Sequence, residues 1–349
     1  MPRAAPATRR QLTLLIAAAG IAIAVIVAAL LPVPYVILSP GPTLNTLGTQ
    51  SGKPLIEISG HRTYPTNGHL NLVTVSYQGG PSDGFNLFTA LQAWLSPRQA
   101  VVPQEELFGT NQTQQQVARQ DTQQMVGSQQ LAEAAALCQL RIPFDVIDTV
   151  NVVYPGMPAS GVLRKGDVIT AVDGKPVTCR TPSGTLIRAR RPGAQVRLTI
   201  DRHGATRQVR LTTASSHGKA VVGIGVFETY RFPFPVRINV GNIGGPSAGL
   251  MFALGIMDKL TPRGLTNGRF IAGTGEISAN GAVSPIGGIQ QKMAGARAAG
   301  ATVFLAPAAN CADAAGAVPQ GLRLVKVYTL AGAVRDLSAL AAGASVPGC

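Results

Sequence analysis

The chain is poor in charge, in aromatics and above all in acids, and each scarcity excludes something. Only 13% of its 349 residues are charged and 5% are aromatic, with a single tryptophan, so no basic stretch carries the interleaved aromatics of a nucleic-acid surface. Its four histidines, His61, His69, His203 and His217, are scattered, and its four cysteines, Cys138, Cys179, Cys311 and Cys349, form no CxxC pair. Metal-ligand spacing is therefore missing, and no metal or cofactor is called for. A GxxxxGK[ST] loop is absent as well, which leaves no P-loop nucleotide site. There is no large low-complexity block, and 46% hydrophobic content over this length is enough for about two or three domains with real cores.

Positive charge is what the chain has in excess: 30 basic against 16 acidic residues leave a net charge of +14. Arg180, Arg188, Arg190, Arg191, Arg197, Arg202, Arg207 and Arg210 concentrate much of it. A solvated face is the plain reading of such a cluster, and contact with anionic lipid or cell-wall polymer the functional one. Residues 12–31 form an uninterrupted uncharged, mostly apolar run. Its length is about the twenty residues that one helix needs to cross a bilayer. Arg3, Arg9 and Arg10 precede it, so the positive-inside rule keeps the N-terminus cytoplasmic and places everything after residue 31 outside. A cleaved signal peptide is the competing reading, because Ala28 and Ala29 are small; the length of the run and Pro32 and Pro34 behind it favour a retained anchor. In an oxidising compartment the cysteines can pair. Of three connectivities, Cys138–Cys179 and Cys311–Cys349 is preferred, since each cysteine then pairs with a near neighbour in sequence. Each would close a loop of about forty residues, stabilising by about 3–4 kcal/mol in the chain-entropy account.

Behind the run comes a proline-rich exit over 32–42, then strand-like SGKPLIEISG and GHLNLVTVSY, and a helical pattern over 85–95. The glutamine-rich stretch 111–140 has few bulky residues and reads as a surface helix or connector with no chemistry in it. Short strands and turns fill 142–213. There, Pro158, Ala159 and Gly161 precede Gly166, Asp167, Val168 and Ile169, which precede Val172, Asp173 and Gly174. In this order of a small-residue turn, a Gly-Asp strand and a hairpin the segment resembles a bacterial PDZ domain. The resemblance implies capture of an extended peptide by strand addition beside a helix, with a spacer that binds nothing tightly as the alternative. It assigns no groove residues.

The chemistry centres on GNIGGPSAGL, residues 241–250. Gly244 and Gly245 allow close backbone approach, Pro246 fixes a dihedral, and SAGLMFALGIMDKL reads as a helix with Leu250, Met251 and Leu254 on one face. Ser247 at that junction is either a helix cap or a nucleophile, with Gly245, Pro246 and Ser247 forming an oxyanion loop at the helix start. Further on, Ile289, Lys292, Met293, Ala296 and Gly300 share one helical face, whereas Gln290, Gln291 and Arg297 fall elsewhere. A lysine on an apolar face either snorkels or is desolvated, and a desolvated, neutral amine can take a proton from a serine hydroxyl. All four histidines precede Ser247, none in a triad-like segment. GNIGGP superficially matches the GNSGGP of trypsin-like proteases, but Ile243 stands where that serine would be.

GGPSAGL with Ser247, TGEIS from Thr274 and GAVSPIGGIQQKMAGARAAGA with Lys292, in that order, resemble the proteolytic domain of the Lon family. The resemblance implies Ser247 as nucleophile, Lys292 as general base, Thr274 as the residue positioning the lysine, and the α/β fold related to ribosomal protein S5 domain 2. The order of anchor, PDZ and protease is similar to that of membrane-anchored Lon-like peptidases of Gram-positive bacteria. With no ATPase domain, it implies an ATP-independent serine endopeptidase acting on unfolded or flexible extracytoplasmic polypeptides, with membrane contact through the N-terminal helix and no nucleic acid; a homo-oligomer stays open, since such domains often form rings. The alternative is a PDZ scaffold with a silent peptidase-like domain. The expected organisation is a cytoplasmic tail 1–11, a transmembrane helix 12–31, a strand and helix region 32–140 packing on the others, a PDZ domain 141–215 and a Lon-like protease domain 216–349.

Overall fold

A computed structural model describes residues 9–80, 84–108, 112–241 and 243–349; Arg3 of the basic flank, Asn111 of the glutamine-rich stretch and Asn242 of the serine loop lie outside the described residues. The uncharged run forms helix α1 (Arg9–Leu30), none of it buried and long and apolar enough to cross a membrane. Next come β1 (Tyr35–Asn45), β2 (His69–Gln78), α2 (Leu87–Trp94), β3 (Ala100–Pro103) and the long α3 (Gln114–Leu140). They are followed by β4 (Asp145–Val153), β5 (Val168–Val172), α4 (Ser183–Arg188), β6 (Gln195–Arg202), β7 (Ala205–Thr212) and β8 (Ile224–Arg231). The C-terminal part adds α5 (Gly249–Leu260), β9 (Phe270–Gly273), β10 (Glu276–Ile277), α6 (Ile289–Ala298), β11 (Val303–Pro307), β12 (Arg323–Val327) and α7 (Leu330–Ala341). Local chemistry sets several of these ends. Thr113 and Gln116 form a reciprocal capping box at the start of α3, and the Asn86 and Thr329 side chains accept N–H groups at the starts of α2 and α7.

A mixed sheet in the order β12-β11-β9-β2-β1-β3 organises the larger unit. β9 runs parallel to β2 and β11, and β1 runs antiparallel to β2 and β3. Side-chain alternation divides the faces. Leu70, Leu72, Ile271 and Leu305 pack with α5 and α7, while Val73, Ala272 and Phe304 pack with Ile289, Met293 and Ala296 of α6. The 32–140 region, expected to pack on the others, does more than pack: β1, β2 and β3 are strands of the same sheet as β9, β11 and β12. A parallel strand is completed by a neighbour far away in sequence, and no local pattern names that neighbour. The boundary at 215/216 is corrected. A second sheet, β7-β6-β5-β4-β8, closes with β8, so it reaches Arg231.

The glutamine-rich helix is also not a surface connector. Met125, Ala132, Ala135, Ala136 and Leu137 of α3 are buried in the core that holds α5, and Ala134 is buried as well. Alanine's small side chain lets two helix backbones approach closely, so a helix without bulky residues can still be central. As a result α5 is buried nearly all round instead of along one face.

Both cysteine pairs lie at bonding distance, Cys138 with Cys179 and Cys311 with Cys349. The first does not stay within one unit. It ties the end of α3 to the segment leading into α4, where the Arg180 guanidinium also donates to the Cys138 carbonyl at 3.1 Å. Replacing Cys138 and Cys179 together by alanine is expected to lower stability by about 3–4 kcal/mol, read as a shifted urea midpoint against the oxidised parent. The arginine cluster is not one free basic face either, since Arg190 pairs with Asp173 and Arg202 forks onto Asp167.

Candidate active site

Ser247 sits two residues before α5, whose N-cap position is Ala248, so Ser247 is not the cap. The loop that carries it is tied from several sides. The Ser247 carbonyl accepts the Gly275 N–H at 2.8 Å and the Thr274 hydroxyl at 2.9 Å. The Pro246 carbonyl accepts the Ser128 hydroxyl at 2.9 Å, and the Gly245 N–H donates to the Asp121 carbonyl at 3.1 Å. Gly245 has φ +86°, a left-handed turn that suits glycine. Gly249 is tight for a different reason: a Cβ there would lie 2.8 Å from Ile277 Cγ2 and 3.0 Å from Ser128 Oγ.

Lys292 stands on the first turn of α6, which opens from Gly288 in the left-handed region. Ile289, Met293 and Ala296 are buried beside it as the spacing requires, but Gly300 is exposed beyond the helix end and Gln291, expected off this face, is buried too. Lys292 is 4% exposed, so it does not snorkel. Its Nζ donates to Ser247 Oγ at 2.8 Å and to Thr274 Oγ1 at 3.1 Å. Thr274, fully buried, thus accepts from the lysine while donating to the serine's own carbonyl, and holds both in one geometry. Burial pulls the Lys292 amine down to about 8; the Glu276 carboxylate nearby opposes part of that fall.

The pair opens on a cleft of about 540 Å³. Its walls include Val75, Tyr77, Phe108, Asp121, Ile243 and Gly287. One wall is an unfinished sheet edge: β9 pairs with β2 only over His69–Leu72, so among the described residues the stretch 73–78 has no strand on that side. The expected oxyanion loop needs correction. Gly245 gives its N–H to Asp121 and Pro246 has none, so of the three residues only Ser247 retains a donor. Among the described residues the Ser247 and Ala248 N–H groups have no acceptor. Sequence reasoning missed Asp121 and Ser128, the α3 residues that fix the serine loop, because a polar helix gives no local sign that it packs behind a site.

The second sheet has its own recess. β8 is an edge strand, and between it and α4 lies a cavity of about 270 Å³ lined by Met157, Ile187, Arg188, Val222 and Val226 among others. Gly223 at its mouth has φ +78°, and a Cβ there would overlap the Met157 side chain. Gly223→Ala is expected to cost about 1–3 kcal/mol in urea unfolding, since left-handed strain and overlap act together.

Residues 128–213 match the PDZ domain family and residues 236–338 the Lon protease C-terminal proteolytic domain. Lon protease 2 of Herpetosiphon aurantiacus is 33% identical over 154 residues, covering 42% of this chain and 17% of its own length. Lon protease 1 of Bacillus subtilis is 39% identical over 87 residues, covering 25% of this chain and 11% of its own. The chain therefore spans less than a fifth of the length of these relatives. Among solved structures, the PDZ domain of an SdrC-like protein from Listeria monocytogenes is 24% identical, covers 23% of this chain and 85% of that one, and has a TM-score of 0.21. With a buried lysine on the serine of the one segment and a recess beside the edge strand of the other, the chain joins a PDZ domain to a Lon-type C-terminal proteolytic domain.

Proposed function

We propose that this chain is an ATP-independent serine endopeptidase, held at a membrane by α1, that cleaves unfolded or flexible polypeptides outside the cytoplasm. The 2.8 Å approach of Lys292 Nζ to Ser247 Oγ carries the reading. Neutral Lys292 takes the hydroxyl proton as Oγ attacks the scissile carbonyl carbon. The tetrahedral oxyanion is received by the free N–H groups of Ser247 and Ala248, at the positive end of α5. Collapse breaks the C–N bond, and the Lys292 ammonium returns the proton to the departing amine. Water then attacks the acyl-serine with Lys292 taking its proton; the C–Oγ bond breaks, the acid leaves, and the Lys292 ammonium returns the proton to Ser247 Oγ. Thr274 keeps the amine aimed at Oγ throughout.

Substrate form follows from the cleft. A chain segment that adds to the open edge of β2 must be extended, which favours flexible or unfolded polypeptides, and the PDZ recess beside β8 is the second place where such a segment can add. Arg9 and Arg10, the first residues of α1, orient it with the catalytic part outside. The test is the full chain in detergent micelles, without nucleotide, given an unfolded polypeptide: fragments should appear and should be lost in Ser247→Ala. Peptide binding without any cleavage would overturn the reading in favour of a scaffold.

A further inference from the structure

Helix α2 is amphipathic the wrong way round for a soluble surface. Its inner face is small: Ala90 and Ala93 pack on Ile37 and Phe85. Its outer face presents Leu87, Phe88, Leu91, Trp94 and Leu95, with Trp94 73% and Leu95 79% exposed. Those positions form one stripe of a helix. Residues 84–97 contain no charged side chain, and Arg98, which follows, is exposed.

The location of this stripe identifies what covers it. Directly after α1, Pro32 and Val33 pair as a short antiparallel ladder with Asn86 and Phe85, the residues that lead into α2. Asn86 then caps α2 through the Thr89 N–H at 3.0 Å. The apolar stripe is thus hydrogen-bonded, within one turn of its start, to the point where the membrane-length helix ends. Ala29, Leu30, Pro32, Gly84, Phe85 and Thr89 line one recess between the two.

We propose that the outer face of α2 rests in the interfacial layer of the bilayer that α1 crosses, with Trp94 at the headgroup level and Arg98 at the lipid phosphates. The proposal rests on the reading of α1 as a retained anchor. A single span followed by a proline-containing exit would leave the catalytic part free to swing; a second contact tied to the exit fixes its orientation to the membrane.

Trp94 is the only tryptophan, so indole emission, excited beyond the tyrosine absorption band, reports this site alone. The full chain would be reconstituted into phosphatidylcholine–phosphatidylglycerol vesicles and insertion checked by flotation. Lipids brominated near the glycerol end of the acyl chain should quench most of the emission, and the quenching constant for aqueous acrylamide should fall severalfold relative to the Phe88→Glu, Leu91→Glu variant, which substitutes exposed positions only. A chain that floats while Trp94 stays open to acrylamide overturns the seating of α2 and leaves the anchor standing. Shielding from acrylamide without quenching by bromolipid also overturns it, in favour of a second copy of the chain. A chain that does not float contradicts anchor and surface together.

Discussion

Replacing Lys292 by methionine should reduce cleavage by at least about a thousandfold while making the folded chain more stable at pH 7. The two effects come from the same burial. An amine that titrates near 8 in the fold and at the ordinary 10.5 in the unfolded chain destabilises the protonated fold by about 3 kcal/mol. Methionine has similar volume and no charge to desolvate. Its gain is offset by loss of the hydrogen bonds to Ser247 and Thr274, at about 1 kcal/mol each, so a net gain of about 1 kcal/mol is expected in urea unfolding. Loss of activity with loss of stability would instead mark Lys292 as a structural residue.

The pH dependence has the next largest effect. Only the neutral amine accepts a proton, so cleavage should rise about tenfold per pH unit from pH 6 to 7, reach half its limit near 8 and level off above about 9. Glu276→Gln removes the carboxylate that favours the charged amine, and should shift this profile towards acid. Stability moves with the same group. Its folded pKa lies below the unfolded one, so between about 8 and 10.5 the unfolded chain binds more protons, and stability rises with pH across that window by about 3 kcal/mol. Below 8 both states hold the proton and this group contributes no slope. Urea titrations at several pH values should show the rise in the parent and not in Lys292→Met.

The two residues that meet in the Ser247–Lys292 contact were legible in the sequence because their evidence is local. Glycines and a proline before an apolar helix mark the Ser247 loop, and a cation inside a helical apolar stripe marks Lys292. The small sheet was legible through its turns. What holds the site together was not, because Asp121 and Ser128 sit in a glutamine-rich helix whose burial depends on a partner more than a hundred residues on. The same holds for β1 and β2, which complete a sheet with β9 and β11 across the whole length of the inserted PDZ sheet. A period of two predicts strands, but strand order needs the pairing partner. The oxyanion loop was half legible: glycine density was visible, whereas the diversion of the Gly245 N–H to Asp121 was not.

Intact-mass analysis after treatment with a serine-reactive phosphonofluoridate tests the central claim most directly. One adduct per chain is predicted, mapped by peptide digestion to Ser247, with a labelling rate that climbs through pH 8 and is lost in Lys292→Met. Labelling elsewhere, or labelling of Ser247 at an unchanged rate without Lys292, would contradict a serine activated by that lysine.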